Sequence, residues 1–419
     1  MQKMLIEGKT PLNGTVKVQG AKNAALPVMA AAILLKGQSL ELDNVPDLQD
    51  VRTMKELLEK LGAAVSFADG RMTIDVPEEL EWNTPVEQVR KMRASSLVLG
   101  PLAARCGKVI LPLPGGCAIG SRPIDFHLKA LKAMGASISL KDGSVYAETT
   151  GRLKGANIVF DFPSVGATEN IMMAAALADG STMIENAACE PEIVNLADVL
   201  RGMGVPVFGD GTPTIRIMGQ SFLKSSKASV VPDRIEAVTY LAGGVISKGK
   251  VTVVGIEPQL LASSLQKLEE IGAKLTLSPN SITAEYAGHL SAVTIKTMPH
   301  PGFPTDAQPQ FMALLALADG TAVIHEGIFE SRLRHVPEFN KMGTKISVQE
   351  NTAFIEGVSS IKGAEVYATD LRAGAAMILL GLAAEGITKV GNLEHVWRGY
   401  DDIVSKMNAL GAKISLIEE

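Results

Sequence analysis

The chain has 419 residues, 46% of them hydrophobic and only 4% aromatic, with a formal net charge of −5. That length buries a large core, and the lack of a basic run or an aromatic stacking platform disfavours nucleic-acid binding. Three cysteines, odd in number and at no metal-ligand spacing, fit a reducing cytoplasm, and no charged-then-apolar signal segment opens the chain.

In chain order, the first twenty residues read as two strand-like runs. An apolar segment then follows, KNAALPVMAAAILL, hydrophobic on almost every face. A helix of that kind wants to be buried. Five similar segments recur as RASSLVLGPLAA, TENIMMAAALA, RIEAVTYLAGGVI, QFMALLALA and LRAGAAMILLGLAA. None reaches the ~20 apolar residues of a membrane span, and no membrane partner is expected. Between them lie amphipathic helices such as RTMKELLEKLG, with Leu57, Leu58 and Leu61 on one stripe. These end at Gly62, Gly135, Gly204, Gly272, Gly343 and Gly411, about 70 residues apart. A second series, Gly37, Gly107, Gly180, Gly249, Gly320 and Gly386, precedes short β-branched runs that read as strands.

Two markers at one period divide the chain into six similar α/β units. The period is too long for common solenoids, so a closed grouping of three units per domain fits better. The last unit stops one hairpin short. The first twenty residues would complete it, which places the N-terminus in the second domain. The expected domains are 22–231, and 1–21 with 232–419. The chain would cross between them near 20–22 and 229–234.

Several buried-type helices begin with polar residues: Lys22–Asn23, Arg93, Thr168–Glu169, Asp233–Arg234, Asp306 and Asp370–Arg372. Covering helices add Arg122, Arg332 and Arg398 near their starts. Cations at helix N-termini oppose the macrodipole, and together with free N–H donors they form anion sites. If the two domains face each other, both sets line one cleft. For single residues the plainer reading is a solvated helix end or an ion pair, for example Asp370 with Arg372.

The segment LPLPGGCAIGSRPIDFH (111–127), rich in glycine and proline, reads as a lid-length loop with Cys117 at its centre and Arg122 and His127 following. Nearby cations favour a thiolate at Cys117, whereas Cys106 and Cys189 read as buried and inert. MPHPGFPTDAQPQF (298–311) delivers Asp306 to a helix start, as a cap or, facing a cleft, as a base. No phosphate loop, HExxH, CxxC or GxGxxG occurs, and no metal centre is expected.

The motifs GAKNAALP, KMRAS, LPGGCAIGSRPID, SVGATEN, EPEIV, PDRIEA, PHPGFPTDAQ, ESRLRHVPE, ATDLRAGAA and RGY, spread over essentially the whole chain, resemble those of the enolpyruvyl transferases. The resemblance implies a two-domain inside-out α/β barrel, three units per domain with the apolar helices buried. It implies attack of the 3′-hydroxyl of UDP-N-acetylglucosamine on phosphoenolpyruvate, with phosphate as the leaving group and no cofactor. By the same resemblance Cys117 is the proton donor and site of a covalent adduct, and Asp306 the proposed base. Lys22, Arg122 and Arg398, with Arg93 nearby, would hold phosphoenolpyruvate. Asn23, Asp306 and Ile328 would contact the sugar nucleotide, with Arg122, Pro123, Ile124, Asp125 and Phe126 on the uridine side. Arg332, Asp370 and Arg372 would help close or hold the cleft. Some relatives carry a lysine before SVGAT, where this chain has Phe162 and Pro163, so a charged diphosphate contact is not transferred there. A sister activity on shikimate 3-phosphate shares the fold without the cysteine loop. A non-catalytic sugar-nucleotide sensor is the remaining alternative.

Overall fold

A computed structural model describes residues 2–113 and 124–418, which fall into two compact units. One spans 20–231. The other joins the first nineteen positions to the segment from Pro232 onward. Each unit has its own apolar core.

Both units use one plan. A strand leads into a buried helix, a second strand returns parallel to the first, an outer helix follows, and a hairpin extends the sheet. In the third repeat the strand Asn157–Val159 leads into the helix Val165–Ala176. The strand Ser181–Glu185 then runs parallel to the first, with Ile184 opposite Ile158. The helix Pro191–Gly202 comes next, and Val207–Phe208 pairs with Thr214–Met218. A right-handed parallel crossover needs a helix of this length between its strands.

Each unit carries three sheets among the described residues; five have four strands, and that of Lys108–Pro112 has three, with the single parallel bridge Asn83–Ile110 where the first strand would lie. In the 20–231 unit the sheet of Gln38–Asp43 takes its first strand from the far end, Ser226–Ser229, with Ser226 opposite Leu40. In the other unit Gln2–Glu7 lies between Ile387–Gly391 and Ile414–Glu418, antiparallel to both. It thus fills the place of the missing hairpin strand in the sixth repeat.

The second N-terminal run departs from expectation. Asn13–Lys17 pairs parallel with Lys250–Val254 and belongs to the fourth repeat's sheet, not the sixth. The turn between the two runs is anchored at fully buried Leu12, whose N–H donates to Ser247 Oγ at 2.9 Å. That anchor sends the chain to a sheet that has a second and a third strand but no first.

The apolar segments form buried helices, as their uniform hydrophobicity requires. In Arg234–Ile246 and Leu371–Ala383 every residue after the first is buried. Small residues permit the close approach: a Cβ on Gly243 would lie 3.2 Å from Leu379 Cδ2, and one on Gly381 3.0 Å from Ile6 Cδ1. The glycines ending the outer helices all have φ between +92° and +113°, where a side chain is strained. Gly249 differs. Lys248 takes the left-handed turn at φ +62°, and the glycine is needed because a Cβ there would meet the Leu12 carbonyl.

Candidate active site

In the unit containing 232–418, the proline-rich segment ends in a single turn, Thr305–Ala307, ahead of the helix Gln308–Leu315. Asp306 sits in that turn, one residue before the helix's N-cap position at Ala307. Its Oδ1 accepts from Arg332 Nη2 at 3.2 Å, and its Oδ2 from Arg372 Nη2 at 3.1 Å and Nε at 3.3 Å. Both guanidiniums are almost wholly buried, while Asp306 keeps 24% of its side chain exposed. The carboxylate is therefore the solvent-facing end of a buried charge cluster.

Asp370 does not pair with the Arg372 side chain, contrary to the expected ion pair. Its Oδ1 caps the helix Leu371–Ala383 by accepting from the backbone N–H of Arg372 and Ala373, at 2.9 and 3.2 Å. Its ionic partner is Arg332 Nη1 at 3.6 Å, so Arg332 bridges two aspartates. An N-cap serine or aspartate is normally a local device, and here the same oxygen also fixes a guanidinium.

The Arg372 guanidinium stands 5.5 Å from the centre of the Tyr400 ring. Burial pulls its pKa down, but Tyr400, Asp306 and Asp233 together hold it above the ordinary value. The Tyr400 hydroxyl lies 2.9 Å from Thr239 Oγ1. With its amide turned to donate to the Asp306 and Ala307 carbonyls at 3.2 Å each, Gln310 accepts from Tyr400 and Thr239. His335 packs beneath, its Nδ1 3.1 Å from the Arg332 carbonyl, and burial with the nearby Arg332 charge lowers its pKa to about 4. Arg398 ends the short helix Leu393–Arg398, two residues before Tyr400. Ile328 is half-buried in the loop after Thr321–His325.

In the 20–231 unit Lys22 is the first residue of the helix Lys22–Ala31. An ammonium there opposes the dipole, and the buried carboxylate of Asp50 compensates at 3.3 Å. Asn23 is exposed beside it. Arg93, half-buried, opens the short helix Arg93–Val98. Ile124 precedes the helix Asp125–Ala133, in which Asp125 is exposed and the Phe126 ring lies 5.6 Å from that of Phe160. His127, almost wholly buried against Gly166, has its pKa lowered to about 4 by burial, with Arg93 adding to it. Phe162 is 44% exposed, and Ser164 caps the following helix through Ala167 N–H.

Cys117, Arg122 and Pro123 lie outside the described residues. Cys106 and Cys189 are half-buried rather than buried, and burial raises both thiols, which keeps the thiolate scarce. Sequence reasoning missed Asp50, Gln310, Glu326 and Tyr400. Asp50 reads as an ordinary acidic first-turn residue. Gln310 and Tyr400 fall inside the segments 298–311 and RGY without being singled out, and Glu326 lies in no motif.

A model of the EPSP synthase (3-phosphoshikimate 1-carboxyvinyltransferase) family matches residues 6–407, and the chain belongs to that family. It is 51% identical, over the full length of both chains, to the UDP-N-acetylglucosamine 1-carboxyvinyltransferase 2 of Carboxydothermus hydrogenoformans. It is 50% identical to the UDP-N-acetylglucosamine 1-carboxyvinyltransferase 1 of Halalkalibacterium halodurans, over all of this chain and 95% of that one. Among solved structures it resembles the enolpyruvyl transferase NikO of Streptomyces tendae, with a TM-score of 0.89 at 25% identity, covering 99% of this chain and 98% of that one.

Proposed function

We propose that the chain transfers the enolpyruvyl group of phosphoenolpyruvate to the 3′-hydroxyl of UDP-N-acetylglucosamine, releasing phosphate, as the first committed step of peptidoglycan synthesis in the cytoplasm. The observation that carries this reading is the identity of about one half, end to end, with two enzymes of that name. The sequence PGGCAIGSRP favours the sugar-nucleotide acceptor over shikimate 3-phosphate. For the architecture we take two inside-out α/β barrels, with domains 22–231, and 1–21 with 232–419.

The chemistry sets what each residue must do. Phosphoenolpyruvate brings a phosphate and a carboxylate, so several cations are required, and Lys22, Arg93, Arg122 and Arg398 supply them. The attacking hydroxyl adds to C2 and gives its proton to Asp306, while C3 takes a proton from Cys117. The tetrahedral adduct then loses phosphate and one C3 proton, which restores the vinyl group. In a side or preceding step the Cys117 sulfur adds to C2 itself as the C2–C3 double bond opens and C3 takes the thiol proton, giving a covalent adduct. Asn23 and Ile328 position the sugar, and residues 122–126 the uridine. Both Asp306 oxygens are held by guanidiniums. One of those bonds must therefore loosen when the proton arrives.

The test is phosphate release with phosphoenolpyruvate and either acceptor. Release with UDP-N-acetylglucosamine alone is expected. Release only with shikimate 3-phosphate assigns the sister activity, and silence with both leaves a binding protein.

A further inference from the structure

Directly after the strand Thr321–His325 stands Glu326, 2% exposed and carrying none of the roles above. Its carboxylate gathers four donors. Oε1 accepts from Thr297 Oγ1 at 2.8 Å, from Ile328 N–H at 2.9 Å and from Phe329 N–H at 3.2 Å. Oε2 accepts from Thr305 Oγ1 at 2.9 Å. Thr297 Oγ1 in turn accepts from Gly327 N–H at 2.8 Å. The Glu326 backbone is pinned on both sides by Asn351, its N–H donating at 2.8 Å and its carbonyl accepting at 3.0 Å.

One buried side chain thus ties together two segments that the sequence keeps apart. The first is the loop that presents Ile328. The second is the turn Thr305–Ala307, which holds Asp306 itself. A buried carboxylate that satisfies two backbone N–H groups and two hydroxyls is costly to remove, because each donor left behind loses its acceptor. We infer that Glu326 is a positioning residue for the acceptor half of the reaction, setting the Ile328 loop and the Asp306 turn in register. The inference rests on the roles proposed above for Asp306 and Ile328.

Steady-state kinetics on the full chain test it. Glu326→Ala is expected to raise the KM for UDP-N-acetylglucosamine by about tenfold or more, the scale of leaving buried donors unpaired. The KM for phosphoenolpyruvate is expected to stay within about twofold, since the donor side keeps its own contacts. Glu326→Gln keeps an acceptor oxygen with two lone pairs at the Oε1 position, where the donors converge, and should recover most of the loss. Should Glu326→Ala fail to fold, Glu326→Gln and Thr297→Val decide the matter. Thr297→Val removes one Oε1 donor and the Gly327 acceptor, and is expected to raise the sugar-nucleotide KM selectively. Equal KM increases for both substrates, or kinetics unchanged in all folded variants, overturn the inference. Asp306→Ala measured alongside separates the two ideas. Wild-type turnover in Asp306→Ala removes the base role, whereas lost turnover there with unchanged Glu326 and Thr297 variants overturns only the positioning role.

Discussion

At the scale of single residues, function and stability pull on the same charges. Asp306 keeps an exposed edge while two buried guanidiniums grip it, an arrangement a purely structural ion pair does not need. Asp306→Ala is expected to lower kcat by at least about 10²-fold, the usual contribution of a general base, with a much smaller change in KM. A defect confined to KM would assign Asp306 to binding alone. Cys117→Ser is expected to abolish turnover and also labelling by the epoxide fosfomycin, a thiol-directed reagent. Mass spectrometry of the treated protein checks this. Label on Cys106 or Cys189 would contradict the raised thiol pKa that burial gives them.

Glu169 behaves differently. It is buried, and desolvation together with the nearby Glu192 and Glu190 carboxylates pushes its pKa well above the ordinary value. A folded-state pKa above the unfolded one means stability is lost as pH rises from the ordinary carboxylate range toward the folded value. Glu169→Gln should therefore melt higher than the wild type at pH 7. The gain should vanish near pH 4, and a melting-temperature series over that range reads it directly.

Among the elements, Gln2–Glu7 carries the most consequence for its size. It is an inner strand of its sheet, with Met4 and Ile6 fully buried, Met4 between Val390 and Leu416. A strand paired on both edges cannot fray without exposing two ladders. Met4→Ala should destabilise by about 2–5 kcal/mol, the range for large-to-small changes in a packed core, as read from the denaturant midpoint. A loss below about 0.5 kcal/mol, the usual size of a surface substitution, would mean the strand is dispensable. Gly381 packs on Ile6 from the buried helix, so the same strand also supports the helix that Asp370 caps and that carries Arg372.

Over the whole molecule, two buried histidines weigh on stability in acid. His127 and His335 stand at matching positions, each eight residues before a helix-ending glycine, Gly135 and Gly343. Both are buried with pKa values lowered to about 4. A histidine held neutral in the folded state takes up its proton more readily when unfolded. Stability is then constant above the ordinary value near 6.5 and falls as pH drops toward 4, by up to about 3 kcal/mol for each. Replacing either with glutamine should flatten the melting-temperature profile between pH 6.5 and 4. A profile as steep as the wild type's would place the acid sensitivity elsewhere.

What the sequence determined by itself was whatever depends on local composition and period. Uniformly apolar segments had to be buried helices, since no face of them tolerates water. The helix-ending glycines had to mark left-handed turns. The six repeats and the enolpyruvyl transferase motifs were readable because they recur or run on without a gap. Only the tertiary structure decided which distant groups meet. The run at 13–17 looked like a partner for the last repeat, and it joined the fourth because Leu12 is locked to Ser247, a contact across 235 positions. Asp370 and Arg372 looked like an ion pair from their spacing. The helix start instead turned the arginine toward Asp306 and left the aspartate to cap the helix and hold Arg332. Tyr400 was visible only as the end of the RGY motif and Glu326 not at all, because a hydrogen-bonding node is defined by the donors that converge on it, and those come from segments the linear order keeps apart.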